Sequence, residues 1–304
     1  MGAGSATSAR GFWQVAAGAV LLSFAAVFVK LARVGPTPAG FYRMLVGAVV
    51  LFALAVVRRE RLWAGGRAAG FALAAGACFT LDLVFWHRSI HLVGPGLATI
   101  LANFQVFLLA GFGLAVLRER LTWRLLIAIP LALLGLFLLV GVDWSLRLPP
   151  YRLGVVLGLL TALAYGSFLL VLRASQARPQ RLEPVPNLLL LCVATTALLG
   201  VSTALEGESL RVPDAGTGLV LVAYGVTAQV VGWLLISRGI AHVEAARVGL
   251  ILLLQPALAF VWDMLFFARP TDVGDLAGAM LALGAIYFGA RRAPGGSAVG
   301  RGGG

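Results

Sequence analysis

Residues 85–107 read FWHRSIHLVGPGLATILANFQVF, and residues 235–257 read LISRGIAHVEAARVGLILLLQPA. At an offset of 150, without a gap, identical residues align at these positions: Arg88 with Arg238, Ile90 with Ile240, Val93 with Val243 and Gln105 with Gln255. The similarity continues with a slip of one residue, which places Gly135 on Gly284. Two weakly similar halves in a hydrophobic chain indicate a transporter built from internal repeats.

The composition supports a membrane protein. The chain has 304 residues, of which 60% are apolar and 12% are charged, whereas a soluble domain has about half apolar and a quarter charged residues. Apolar runs of about twenty residues recur along the whole length, and such runs predict membrane-spanning helices. The short alternating segments of a transmembrane barrel are not seen. The predicted class is therefore an all-α membrane protein that contacts the lipid bilayer directly.

The net charge of +12 does not indicate nucleic acid as a partner. The basic residues lie between apolar runs instead of clustering on one patch, which favours a role in membrane orientation. Cys78 and Cys192 lie inside different apolar segments without the spacing of metal ligands, so both are predicted to pack in the core. The sequence predicts no metal site and no cofactor.

Hydropathy predicts ten spans, five in each half of the chain. Their predicted bounds are 12–32, 38–57, 68–87, 93–116, 121–141, 152–173, 186–205, 215–237, 244–267 and 271–290. The predicted repeats are 12–141 and 152–291, and the Gly-, Ser- and Ala-rich tails 1–11 and 293–304 are predicted to be disordered and cytoplasmic.

The positions of Lys and Arg predict the orientation. With a cytoplasmic N-terminus, sixteen of the 24 Lys and Arg residues face inside and eight face outside. Both termini are therefore expected on the cytoplasmic side of a cell (inner) membrane. Because five spans is an odd number, the second repeat crosses in the opposite sense to the first. Inverted repeats of this kind are the mechanical basis of alternating access.

Four stretches of the chain form a recognisable series: FAAVFVK at Phe24–Lys30, PAGFYR at Pro38–Arg43, LRERLT at Leu117–Thr122, and Leu254-Gln255-Pro256. In their order and spacing they resemble the drug/metabolite transporter superfamily, and within it the ten-helix group with two EamA domains. The resemblance covers almost everything from Phe12 to Arg292 and implies a ten-helix fold with two inverted repeats. It also implies a secondary carrier, more often an exporter, for an amino acid or a related metabolite.

The sequence departs from the family's pattern in two places. Asn103-Phe104-Gln105-Val106 stands in the fourth span where the family often has a proline, so we expect no helix break there. Ala268-Arg269-Pro270 stands where the family often has a glutamate, so Glu119 has no partner by symmetry.

Charged residues inside the spans are the first candidates for function. A charge in a bilayer costs roughly 2.5–3.5 kcal/mol on insertion scales, so such residues usually face protein or water. The predicted gate or coupling residues, all in the external half of the bundle, are Lys30, Arg43, Asp82 and Asp263. Of the two aspartates, Asp82 is the deeper and is the better candidate for a proton carrier. Ion pairs that only hold the helices together are the alternative reading.

Deeper polar and aromatic residues are the candidates for contact with substrate. They are predicted to line a shared cavity: Trp86, Asn103, Tyr165, Gln229, Trp233 and Gln255. Pro256, beside Gln255, removes a backbone donor and would free a carbonyl near the middle of the bilayer. The aromatic groups favour a small-molecule substrate with an apolar or cationic part. Each polar residue is equally well read as an interhelical hydrogen bond.

A secondary transporter that works by alternating access is the function that the sequence favours. No Walker-type loop is present, so energy would come from a proton gradient or from the gradient of the substrate itself. The alternatives are a lipid-linked sugar flippase, a non-transporting membrane scaffold and, less favoured, a membrane enzyme acting on lipids. An enzyme is not predicted because the loops lack an acidic cluster. The oligomer is left as a monomer or a homodimer.

Overall fold

The computed structural model describes residues 3–119, 121–140, 149–178, 181–268 and 272–290. Within these ranges all regular structure is helical. The α-helices are α1 (Ala3–Ser23), α2 (Ala25–Leu31), α3 (Pro36–Val57), α4 (Gly66–Asn103), α5 (Gln105–Ala115), α6 (Trp123–Val140), α7 (Pro149–Gln176), α8 (Pro184–Glu206), α9 (Ala215–Tyr224), α10 (Trp233–Gly239), α11 (Ala245–Leu252), α12 (Leu254–Phe267) and α13 (Val273–Ala290). A π-helix (Gly225–Gly232) joins α9 to α10, and a short 3₁₀ turn (Ile240–His242) follows α10.

The helices have the lengths that a bilayer requires. Eight segments in the described ranges are long and apolar enough to cross a membrane. Two shorter apolar helices, Trp123–Leu138 and Val273–Gly289, coincide with the predicted fifth and tenth spans. The predicted class, an all-α membrane protein with ten apolar helical segments, is confirmed.

Helix α4 contains two spans, because the chain turns back within it. A Cβ built on Gly158 of α7 would lie 3.1 Å from Ser89 Oγ and 2.6 Å from Leu101 Cδ1. A straight helix would separate residues 89 and 101 by about 18 Å, at 1.5 Å of rise per residue. The reversal therefore lies between them, in a stretch that overlaps the joint predicted between residues 87 and 93.

The start of the first helix differs from the prediction. Helix α1 begins at Ala3, so residues 3–11, predicted as part of a disordered tail, are helical. Ala3, Ala6 and Ala9 have the highest intrinsic helix propensity, and they extend a helix that the apolar span already forms. The predicted tail 293–304 and most of the link between the repeats lie outside the described residues.

Three spans are interrupted near their middle or end, at Phe24, Phe104 and Leu253. The expectation of an unbroken helix at Asn103–Val106 is wrong, since Phe104 N–H donates to Leu101 O, three residues back. The side chain of Asn103 donates to Thr99 O at 2.8 Å, and such side-chain bonds compete with the regular helical ladder. A polar residue thus accompanies the break at Phe104 in the first half, whereas Pro256 accompanies the break at Leu253 in the second half.

Small residues allow the helices to approach closely. A Cβ on Gly135 of α6 would lie 2.5 Å from Ala282 N and 2.7 Å from Gly278 O of α13, so backbone contacts backbone there. Ala128, Ala132 and other small residues fill the same interface. Without a hydrophobic driving force between helices in lipid, close packing of this kind stabilises the bundle.

We expect Gly135→Ala to destabilise the protein by about 1–3 kcal/mol, because the added methyl group overlaps a backbone that cannot rotate away. Gly284→Ala is the matched control, since a Cβ there meets nothing within 4 Å. Unfolding of both variants in SDS–detergent mixtures, followed by circular dichroism, measures the difference. Equal stability of the two variants would show that the α6–α13 contact is not tight.

Candidate functional site

Arg43 occupies the interior of the bundle. It lies about 10 Å of helix rise from the start of α3 at Pro36 and is only 6% exposed. Its Nε donates to Gln229 Oε1 at 3.1 Å, and one terminal nitrogen donates to Tyr224 Oη at 3.1 Å. The guanidinium carbon also lies 5.6 Å from the centroid of the Phe79 ring. A permanent cation from the first half is therefore held by polar groups of the second half.

Asp82 lies close enough to Arg43 for their charges to interact. It is 8% exposed, and within the described ranges no hydrogen bond or ion pair shorter than 4 Å engages its carboxylate. A buried carboxyl group with free acceptor capacity near a cation is suited to bind a proton or a cationic group.

Tyr165 and Gln255 form a second polar contact inside the bundle. Gln255 Nε2 lies 3.2 Å from Tyr165 Oη, and the Tyr165 ring stacks on Phe168 with centroids 6.2 Å apart. Phe168 in turn packs edge-to-face on Trp233. Trp233 is almost fully buried in this aromatic cluster, so it packs against Phe168 and does not face an open space.

Two residues of the site, Tyr224 and Cys192, were not predicted. Gln229 Nε2 lies 3.2 Å from Cys192 Sγ, so the amide of Gln229 is held from both sides. Tyr224 and Gln229 are five residues apart, which on an α-helix is about 140° around the axis. The π-helix between them, with its i→i+5 hydrogen bonds, places both on one face. No periodicity in the sequence marked that change.

The remaining predicted residues lie apart from Arg43. Asn103 bonds to its own helix, and the half-buried Trp86 packs beside His87 with ring centroids 5.5 Å apart. Lys30 is exposed, with Nζ 4.3 Å from the centroid of the Phe267 ring. The side chain of Asp263 lies outside the described residues. Of the predicted gate and substrate residues, the structure joins Arg43 to Gln229 and Tyr165 to Gln255 by hydrogen bonds. The stacked rings of Phe79 and Phe168 lie between these two pairs.

Polar contacts link the two halves at the end of the bundle where α3 begins and α8 ends. Thr37 Oγ1 donates to Glu206 Oε2 at 3.1 Å and lies 3.1 Å from His87 Nδ1. Arg88 lies 3.8 Å from Glu206. Burial, with the neighbouring Glu206, raises the pKa of Glu208 in the following loop above its ordinary value, against the opposing effect of His91.

A second set of contacts links the halves at the opposite end. Glu119, in the loop after α5, accepts from Arg173 of α7 at 2.7 Å. It also accepts from the backbone N–H of Ala245, the first residue of α11, at 2.8 Å. One carboxylate therefore neutralises a cation and caps a helix N-terminus, which are two stabilising roles for an anion.

Ten apolar helices around a buried polar cluster are typical of a multi-pass membrane transporter. The EamA-like transporter family matches residues 9–141 and again residues 152–290, and the chain belongs to that family. The chain is 24% identical over 279 residues to an uncharacterized transporter of Archaeoglobus fulgidus, covering 89% of this chain and 92% of that protein. The membership supports transport and not catalysis as the activity.

A solved crystal structure has the same fold. It superposes with a TM-score of 0.79 at 18% sequence identity, covering 93% of this chain and 97% of the other. At this level of identity the likeness shows the fold alone.

Proposed function

We propose that this protein is a secondary transporter that exports a small metabolite, an amino acid or a related zwitterion, by alternating access of two inverted repeats. The observation that carries the proposal is the buried Arg43, whose hydrogen-bond partners Gln229 and Tyr224 belong to the other half of the chain. A charge is expensive to bury in a membrane protein and usually marks a transport pathway. Export as the direction rests on the family resemblance.

The chemistry of the cluster favours a zwitterionic substrate. A guanidinium pairs well with a carboxylate, and Arg43 has five donors of which two are engaged by Gln229 and Tyr224. Asp82 offers an acceptor for an ammonium group, and the rings of Phe79, Tyr165 and Phe168 offer apolar contact. We infer that the carboxylate of the substrate binds Arg43 and that its amino group, or a proton, binds Asp82.

Helix directions support the inverted repeat. Where corresponding helices of the two halves touch, they run antiparallel: Gly40 and Gly47 of α3 lie beside Leu199 and Cys192 of α8. Helices α6 and α13 do the same, with Gly135 beside Ala282 and Ala128 beside Gly289. A two-fold axis lying in the membrane plane produces this arrangement. The double match to one family supports the repeat itself, without bearing on its orientation.

The two polar sets at opposite ends of the bundle support a mechanism of alternating access. Each set joins the halves, through Thr37 and Glu206 at one end and through Glu119 and Arg173 at the other. Opening one end requires one set to separate while the other keeps the halves together. Arg43 and Asp82 lie between the two sets, where a bound substrate would be exposed to one side at a time.

Arginine placement supports a cytoplasmic assignment for the Glu119 end. The described arginines at that end are more numerous than those at the Thr37 end, and they include Arg58, Arg61, Arg67, Arg118, Arg178 and Arg181. Short cytoplasmic loops are enriched in Lys and Arg. We therefore place both termini in the cytoplasm of a cell whose inner membrane holds the protein.

We expect Asp82→Asn to abolish proton-driven transport while leaving downhill exchange of substrate. The asparagine keeps the shape and hydrogen-bonding capacity of the side chain but cannot release a proton. Thermal-shift screening against amino acids and related zwitterions first identifies the substrate, because a ligand that binds the folded state raises its stability. Transport into proteoliposomes with and without an imposed pH gradient then tests coupling. Glu183→Gln, at an exposed carboxylate, is the control.

Two outcomes count against different parts of the proposal. Unchanged pH dependence in Asp82→Asn removes Asp82 from coupling but leaves the transporter intact. If neither parent nor variant moves any zwitterion that binds, and vesicles instead show accelerated exchange of phospholipid between leaflets, the carrier function itself is wrong.

A further inference from the structure

A cavity of about 250 Å³ lies at the Glu119 end of the bundle, where α4 and α8 begin and α7 ends. It is separate from the Arg43 cluster, and none of its lining residues belongs to that site. The polar groups around it come from three segments: Arg67 from α4, Ser175 and Arg178 from the end of α7 and beyond, and Arg181 and Asn187 from the start of α8 and just before it.

Positive charge dominates this cavity. Arg67, Arg178 and Arg181 line it, and among its described lining residues there is no acidic side chain. Arg178 is held over the Phe71 ring, with 4.3 Å between the guanidinium carbon and the ring centroid. Arg181 is held by a hydrogen bond of 2.8 Å to the Gln176 carbonyl. Two of the three cations are therefore positioned by the protein in advance of any ligand.

Asn187 supplies a buried donor that the fold itself does not satisfy. It is 1% exposed, and its Nδ2 donates no hydrogen bond. Buried donors of this kind are rare and point to a missing partner. The start of α4 adds further donors, because its capping residue is Gly65, which has no side chain to accept from the first N–H groups. Free N–H groups at a helix N-terminus bind phosphate well.

The cavity lies at the depth of lipid headgroups. Ala64 lines it, and the adjacent Trp63 is exposed. Exposed tryptophan next to an apolar span is typical of the membrane–water interface. The end of the bundle that holds the cavity is also the arginine-rich end, which anionic lipid attracts.

We propose that this cavity binds a phosphate group, with Arg67, Arg178 and Arg181 as the cationic contacts and Asn187 as a neutral donor. The phosphate belongs either to the headgroup of an anionic phospholipid or to a free phosphate compound. The same donors serve both sources, so the experiment separates them. The inference is independent of the transport mechanism proposed above.

The test measures thermal stability of the detergent-purified full chain with three probes: dioleoylphosphatidylglycerol, dioleoylphosphatidylcholine and inorganic phosphate. We expect stabilisation by phosphatidylglycerol and not by phosphatidylcholine, and we expect Arg181→Gln and Arg67→Gln each to lose most of that shift. Both arginines are exposed, so their replacement leaves the fold intact. Asn187→Leu is the third variant, and Arg61→Gln, an exposed arginine outside the cavity, is the control.

The possible outcomes distinguish a lipid headgroup from a free phosphate compound, and they show when the proposed site is wrong. A shift with phosphatidylglycerol that the cavity variants lose and Arg61→Gln keeps assigns a lipid headgroup. A shift with inorganic phosphate alone, lost in the same variants, assigns a free phosphate compound. Equal shifts in parent, cavity variants and Arg61→Gln, or no shift with any probe, overturn the site.

Discussion

Replacement of Arg43 by methionine is expected to abolish transport and to destabilise the fold. Methionine keeps the length and apolar stem of the side chain but leaves Gln229 Oε1 and Tyr224 Oη without their shared donor. Each buried polar group left unsatisfied costs about 1–3 kcal/mol. The cation near Asp82 is lost as well, so no nearby positive charge remains to balance the buried carboxyl group. Unfolding in SDS–detergent mixtures measures the stability, and counterflow in proteoliposomes measures the transport.

A double-mutant cycle tests whether Arg43 and Asp82 act together. Each single substitution leaves one member of the pair buried without the other, so the double variant Arg43→Met/Asp82→Asn should lose less stability than the sum of the two. Residues coupled in this way show interaction energies of about 0.5–3 kcal/mol. Arg43→Met combined with Asn103→Leu should be additive, because the Asn103 side chain bonds only to its own helix. Additivity in both cycles would exclude coupling between Arg43 and Asp82.

Arg43→Lys is the informative conservative change. Lysine keeps the charge, but it lacks the fork of donors that reaches Gln229 and Tyr224 together. We expect stability between that of the parent and that of Arg43→Met, because the charge is kept while at least one of the two hydrogen bonds is lost, and we expect transport near that of Arg43→Met. Restored transport would mean that charge alone suffices, and it would contradict the assigned role of the two hydrogen bonds.

The membrane spans could be predicted from the sequence because their cause is local. About twenty apolar residues satisfy the bilayer wherever they occur, and helix α3, from Pro36 to Val57, lies within two residues of its predicted span. The reversal inside α4 could be anticipated only as a short joint. Its position depends on how Ser89 and Leu101 pack on Gly158, which is a tertiary contact.

The composition of the site could be predicted only in part. Asp82, Tyr165, Gln229 and Gln255 stand out as polar residues inside apolar runs. Arg43 does so too, but a sequence does not tell whether an arginine near a helix start snorkels outward or points inward. Its partner Gln229 lies 186 residues further along the chain. Pairing at that separation is decided by packing.

Two features of the structure differ from what local sequence patterns predict: the face on which Tyr224 lies and the helix break at Phe104. Tyr224 joins the site because a π-helix rotates it onto the face of Gln229, whereas α-helical periodicity puts the two residues on different faces. The break at Phe104 occurs without the proline that usually signals one. In both places the helix departs from regular geometry near buried polar side chains, which is where functional sites commonly violate local rules.

Loss of the Glu119 charge is expected to open the end of the bundle that holds Arg173. Glu119 accepts two hydrogen bonds, from Arg173 and from the Ala245 N–H, and bonds to a charged group contribute about 1.5–3 kcal/mol. Since every 1.4 kcal/mol changes an equilibrium about tenfold, Glu119→Gln should raise the population open at this end by roughly tenfold or more. The substitution keeps the size of the side chain, but it removes the charge and replaces one of the two accepting oxygens by an NH₂ donor, so one of the two hydrogen bonds is lost.

Labelling of a single introduced cysteine by a membrane-impermeant maleimide measures that population. Val243→Cys, in a Cys78→Ala/Cys192→Ser background, places the thiol at a buried position next to the Glu119 contacts. Glu119→Gln should raise the labelling rate. Glu183→Gln should leave it unchanged, because the Glu183 side chain is exposed and accepts no hydrogen bond from the start of α8.

A substitution at the opposite end distinguishes alternating access from independent opening of the two ends. Glu206→Gln weakens the contacts to Thr37 and Arg88, so it favours the state open at that end. If the two ends open alternately, the labelling rate at Val243→Cys should fall in this variant while it rises in Glu119→Gln. Independent fraying of the two ends predicts a rise in Glu119→Gln and no change in Glu206→Gln. That second pattern would contradict alternating access, because each end would then open without closing the other.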